Sequence, residues 1–91
     1  MKKVDIFIFN GIDVVATCST ADCSLSVRVL KEFLDAMRYD LDADSICVKE
    51  NNLSVITISF LSHCEIVVNG TACSYVDGVD FAANMLTELW G

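Results

Sequence analysis

Apolar positions alternate from the beginning of the chain. Val4, Ile6 and Ile8 fall on one side of an extended segment and Phe7 and Phe9 on the other, which predicts a strand apolar on both faces. A strand of that kind is expected in the interior of a sheet covered on both sides. Asn10-Gly11 can supply positive φ for a tight turn, and Ile12 to Cys18 reads either as a second hairpin strand or as an extended lead into a helix. From Ser24 the period changes. Val27, Leu30, Leu34, Met37 and Leu41 recur at intervals of three and four, widened by Leu25, Val29 and Phe33, and this predicts an amphipathic helix. Asp22 or Ser24 is available to cap its first N–H groups, and Arg28, Lys31, Glu32, Asp35 and Arg38 mark its wet side.

Alternation resumes after the acidic stretch Asp40-Leu41-Asp42-Ala43-Asp44. Ser45 to Glu50 reads as a strand ending at Asn51-Asn52, and Val55 to Phe60 and Cys64 to Val68 read as two more. Leu61-Ser62-His63 between the last two is the length of a hairpin loop. Gly78 to Trp90 returns to helical spacing through Val79, Ala82, Leu86 and Leu89, with Asp77 or Asp80 as cap and Phe33, Phe60, Phe81 and Trp90 expected to pack helices on the sheet. The elements form one domain over residues 1–91, with no linker, low-complexity segment or repeat. The order strand, helix, strand, strand, strand, helix predicts an α/β fold, a mixed four-stranded sheet with helices packed on it, whose first two strands are parallel partners in a βαβ unit.

Composition then narrows the function. The hydrophobic fraction of 54% exceeds the roughly 45–50% of average soluble chains and the mean hydropathy is +0.52, which excludes disorder. A domain of 91 residues still exposes about 40% of its unfolded-chain surface, so apolar groups are expected at the boundary and self-association or a protein partner is expected to cover them. Against 13 acidic residues stand 6 basic ones, a net charge of −7. No basic stretch offers a footprint for nucleic acid. Asp13, Glu32, Asp35, Glu50 and Glu65 interrupt every apolar run before it reaches the ~20 residues of a membrane-spanning helix. Met1-Lys2-Lys3 followed by apolar residues imitates a signal peptide, but Asp5, Asp13 and the alternation oppose that reading. A cytoplasmic location follows as the expectation, and there the five cysteines stay reduced.

Cys18 and Cys23 are the sharpest chemical feature, because a thiol in the first turn of a helix feels N–H dipoles that favour thiolate. Asp22 beside them works the other way. The pair can be read as a redox couple, as ligands to a soft metal or metalloid ion, or as small buried residues at a strand–helix junction. Cys47 is expected to face away from Ile46 and Val48, and Cys64 to share the core face of Ile66 and Val68. A third thiol near Cys18 and Cys23 would make a trigonal sulfur site. His63 reads as a loop histidine in water. Asp40, Asp42 and Asp44 echo a calcium loop, but Ser45 and Asn51 occupy the positions where glycine and glutamate are required.

An apolar first strand, the segment Cys18-Ser19-Thr20-Ala21-Asp22-Cys23 opening the first helix, and Glu65-Ile66-Val67-Val68-Asn69-Gly70 leading to the closing helix together resemble the thioredoxin-like superfamily, in particular its small bacterial members of unassigned function. The resemblance implies the four-stranded mixed sheet and a thiol–disulfide role for Cys18 and Cys23. The chain departs from that family in the four residues between the two cysteines, where thioredoxins have two, and in having no proline. It also has only Asn51-Asn52-Leu53-Ser54 where a connecting helix is usual, and a direct hairpin there would give an α+β topology instead. Two functions follow from the residues. One is a non-enzymatic interaction module that self-associates. The other is a thiol protein working through Cys18 and Cys23, with no cofactor beyond a soft ion. No nucleophile, base and oxyanion donor can be placed together for a hydrolase or transferase.

Overall fold

The computed structural model describes residues 2–39 and 41–91. Six strands and two helices follow in the order β1 (Val4–Asn10), β2 (Asp13–Thr20), α1 (Cys23–Tyr39), β3 (Ser45–Glu50), β4 (Leu53–Phe60), β5 (Glu65–Val68), β6 (Thr71–Ser74) and α2 (Tyr75–Glu88). The strands form one sheet in the order β2-β1-β3-β4-β5-β6, and every neighbouring pair is antiparallel. Helix and sheet are combined as expected, but the four-stranded mixed sheet is corrected to six antiparallel strands.

The correction has a local cause at each point. Gly11, at φ 62°, helps to turn the chain between β1 and β2, so Ile12 to Cys18 resolves into a hairpin strand, with Val4 opposite Thr20 and Ile6 opposite Cys18. Helix α1 therefore crosses from β2 rather than β1 and delivers β3 antiparallel to β1, which removes the expected parallel βαβ unit. Asn51 and Asn52 both adopt positive φ, at 51° and 65°, and close β3 directly onto β4 as a two-residue hairpin, the alternative connection the sequence allowed. Asn69 and Gly70, at 48° and 84°, do the same between β5 and β6. Residues 71–74, which carried no strand expectation, are thereby an edge strand.

Both helices begin at a side-chain cap. The Asp22 carboxylate accepts the Leu25 N–H at 3.0 Å and opens α1. The Ser74 hydroxyl accepts the Asp77 N–H at 3.2 Å, so α2 starts at Tyr75, three residues before the expected Gly78. Gly78 is inside the helix because of packing: a Cβ there would overlap the Ile66 side chain and lie 2.9 Å from the Cys73 sulfur. The helices lie against one face of the sheet. Val4, Ile6, Ile8, Ile46, Val48, Ile56, Ile58, Ile66 and Val68 from the strands meet Leu30, Leu34, Met37, Tyr75, Ala82 and Leu86 from the helices, all buried. Each fully buried side chain of this size contributes about 1.5–3 kcal/mol. Phe33, Phe60 and Trp90 pack against this core as expected, and the Trp90 indole N–H donates to the Ala21 carbonyl at 3.2 Å. Phe81 does not join them; it is 47% exposed.

The opposite face of the sheet is not covered by any described element. Phe7 and Phe9 alternate with the buried Val4, Ile6 and Ile8 and are only half-buried, so β1 is interior to the sheet but covered on one side, not both. Among the described residues no helix is long and apolar enough to cross a membrane.

Candidate functional site

Strand register fixes the residues of the uncovered face. Thr17, Phe7, Cys47 and Thr57 form one row across β2, β1, β3 and β4, and Phe9, Ser45, Ser59, Val67 and Ala72 form the next from β1 to β6. The Phe7 and Phe9 rings stand 6.3 Å apart and tilted, and the Lys49 ammonium lies 5.6 Å from the Phe7 ring centre. Asp5 accepts a hydrogen bond from the Ser19 hydroxyl. The Cys47 sulfur sits 3.3 Å from the Ser54 hydroxyl. The face thus has an apolar patch in Phe7, Phe9 and Cys47 on β1 and β3, flanked by hydroxyls, with Val67 set apart from it beyond Ser45 and Ser59 and with Asp5, Lys49 and Glu65 as its charges. Register irregularities at Ile8/Phe9 shape its β2 edge, where Val14 and Val15 are 51% and 44% exposed.

The five cysteines divide among different surroundings. Cys18 sits on the edge strand β2 opposite the buried Ile6, hence on the helix-covered side, and Cys23 is the first residue of α1; both are half-buried and free. Cys73 packs against the core from β6. Cys47 faces away from Ile46 and Val48, as the alternation predicted. Cys64, expected on the core face, is instead exposed, because β5 begins only at Glu65 and Cys64 belongs to the preceding loop. No three described His, Cys, Asp or Glu side chains converge in a way that could hold a metal ion, so the third thiol is not found beside Cys18 and Cys23.

A second locus lies where α1 ends. Met37, Arg38, Phe60, Leu61, Ser62 and His63 line a cleft of about 240 Å³. The Arg38 guanidinium stacks 4.2 Å from the centre of the Tyr75 ring and 5.2 Å from that of Tyr39. The Tyr75 hydroxyl donates to Asp35. Burial of the ring, then that hydrogen bond and the Asp35 charge, push the Tyr75 phenol well above its ordinary range. His63 is in a loop, as expected, but it is anchored: its Nδ1 lies 2.7 Å from the Arg38 carbonyl, and because a carbonyl only accepts, Nδ1 carries the proton. The Ser62 hydroxyl accepts the N–H groups of Cys64 and Glu65, each at 3.2 Å, and so shapes the loop. Nothing in the sequence joined Arg38 to Tyr75, which lie on different helices, and Arg38, expected on the wet side of α1, is instead half-buried.

Compared with known proteins, the chain matches no family model, no curated protein and no solved structure. The reading of its function rests on these surfaces.

Proposed function

We propose that this protein is a non-enzymatic interaction module that self-associates, and that the uncovered sheet face is its working surface. The observation that carries this reading is the half-burial of Phe7 and Phe9 on a face to which no described element is packed. Six strands spaced ~4.8 Å apart and running ~20 Å give roughly 500 Å² of projected face, and its corrugation brings the accessible area toward the ~800 Å² per partner of a stable interface. Electrostatics favours a second copy as the occupant. The chain carries −7, yet many of its acids, among them Glu32, Asp35, Asp77, Asp80 and Glu88, are on the helices behind the sheet. Face-to-face docking keeps those charges on the two outer sides and leaves hydroxyls as a polar rim.

Sedimentation over a micromolar range tests this, together with thiol labelling. Self-association should protect Cys47 from a maleimide as concentration rises while the exposed loop thiol Cys64 stays reactive. Phe7→Ser with Phe9→Ser should leave a folded monomer in which Cys47 is labelled at every concentration. A wild-type monomer at all concentrations, or association that the double substitution does not weaken, sinks the reading.

A second reading draws support from the placement of Cys23 in the first turn of α1 with Cys18 at the end of the preceding strand. In it the two thiols pass two electrons and two protons to an oxidised low-molecular-weight disulfide and close into an intramolecular bond. The mass should fall by two hydrogens after such treatment and fail to do so in Cys23→Ser; an unchanged wild-type mass removes this reading.

A further inference from the structure

We propose that the end of the molecule where α1 terminates is a second docking surface, which takes a cationic peptide segment of another protein and seats one of its apolar side chains in the cleft beside Leu61. Three loops are tied into one rim there. The Gly11 N–H at the β1–β2 turn donates to the Asp44 carboxylate at 3.1 Å. The Asp44 backbone bridges β1 and β4, its N–H donating to the Phe9 carbonyl at 2.9 Å and its carbonyl accepting from the Phe60 N–H at 3.2 Å. His63 then joins the β4–β5 loop to the last turn of α1 through the Arg38 carbonyl.

This rim carries exposed apolar groups that the fold does not use. Ile12 is 95% exposed, Leu61 60% and Tyr39 67%. Singly such residues are ordinary, but here Leu61 lines a cleft whose Met37, Phe60 and Leu61 walls leave space for one large side chain, Tyr39 follows the lining residue Arg38, and Ile12 lies on the β1–β2 turn at the same end of the sheet. The exposed charges on these connections are acidic. Asp13, Asp42 and Asp44 are exposed on the connections that build the rim, and the carbonyl pole of α1 points the same way. Arg38 also lines the cleft, half-buried with its guanidinium over the Tyr75 ring. The positive pole of α2, which opens at the same end, is met by Asp77 in its first turn. A segment with lysine or arginine flanking a leucine or aromatic residue complements both the exposed carboxylates and the apolar walls.

Because a chain of charge −7 attracts any polycation, the test must separate the rim from the general field. The probe is a fluorescently labelled peptide of leucine and tryptophan residues each flanked by lysines. Counterparts carry alanine for the apolar residues or glutamate for lysine. Anisotropy should rise with the first peptide only. Ile12→Ser with Leu61→Ser, at positions exposed enough to leave the fold intact, should weaken binding about tenfold. Asp13→Asn with Asp42→Asn should weaken it severalfold, while Glu32→Gln with Glu88→Gln, the same change of charge on the helices, should leave it unchanged. Equal binding of the alanine peptide, equal weakening by the helix pair, or no binding of the first peptide overturns the proposal. So does loss of self-association in the Ile12/Leu61 variant, which would make a second copy the occupant of this end.

Discussion

The two faces of this sheet are built from the same strands and have opposite chemistry. Toward the helices, β1 presents Val4, Ile6 and Ile8, β3 presents Ile46 and Val48, and β4 presents Ile56 and Ile58, all 0–1% exposed. Away from the helices the same strands present Phe7 and Phe9, then Ser45 and Cys47, then Thr57 and Ser59, which are half-buried or exposed. A face that only had to meet water would not need two phenylalanines on an interior strand, and a second core face would not carry a hydroxyl at most positions around them. The difference teaches that apolar residues on both sides of a strand do not imply two covering layers. One face stabilises the monomer, and the other is left without a covering element among the described residues.

The sharpest way to break this comparison is to substitute one residue on each side of β1. Ile6→Ala removes a fully buried side chain, and the expected loss is about 2–5 kcal/mol in denaturant unfolding. Phe7→Ser should cost the monomer about 1 kcal/mol or less, measured below the association range, yet reduce self-association strongly. If Phe7→Ser unfolds the monomer as severely as Ile6→Ala does, the two faces are not different in kind.

Gly78 tests the covered side from the helix. Its missing Cβ lets α2 approach β5, where Ile66 and the Cys73 sulfur occupy the space. Gly78→Ala should therefore destabilise by about 1–3 kcal/mol through overpacking, although alanine is the better helix former by ~1 kcal/mol. Self-association per folded molecule should not change, because this contact is behind the sheet. A stabilised variant in thermal unfolding would show that the helix shifts freely and that the covered face is loosely packed.

Much of this architecture was legible in the alternation and helical periods, and the errors have physical reasons. The residues of α1 and of β1, β3, β4 and β5 declared themselves because their apolar positions repeat at the right interval. Cys47 declared its face for the same reason. Direction and pairing did not, since parallel and antiparallel strands share the period of two, and the sheet topology turned on whether Ile12 to Cys18 paired. The start of α2 was misplaced because Gly78 looked like a boundary residue, whereas its smallness serves packing and Ser74 is the cap. Phe7 and Phe9 were legible as apolar but not as uncovered, because a sequence gives a strand's two faces without saying how many layers it has. The cleft at Arg38 depended on loops meeting across the sheet end and had no sequence pattern to reveal it. The acidic stretch begins at Asp40, which lies outside the described residues.

Tyr75 sharpens the comparison through pH. It is 6% exposed at the start of α2, and its hydroxyl holds Asp35 of α1. Its phenol is pushed up by burial first and by Asp35 second. The native state therefore keeps this proton where the unfolded chain sheds it, near the ordinary value of 10. The contribution to stability is complete below that pH and is lost as pH rises above it. Wild-type stability should fall in the alkaline range with a slope that Tyr75→Phe lacks. At neutral pH the substitution should cost about 1 kcal/mol for the lost hydrogen bond. Equal alkaline slopes in both proteins would place the pH sensitivity elsewhere.

The smallest effect is expected at the β3–β4 turn, and it isolates register from either face. Which residues of β4 look toward the helices depends on where Asn51-Asn52 turns the chain, since a slip of one residue would exchange Ile56 and Ile58 for their polar neighbours. Both asparagines hold positive φ, which asparagine tolerates and glycine adopts without steric cost. Asn52→Gly should therefore raise stability by a few tenths of a kcal/mol, about the difference between a tolerated and a preferred turn residue. It touches neither Phe7 nor the buried isoleucines, so self-association and Cys47 labelling should remain those of the wild type. Weakened self-association in a variant of unchanged or higher stability would show that the turn, and not the uncovered face, makes the contact between copies.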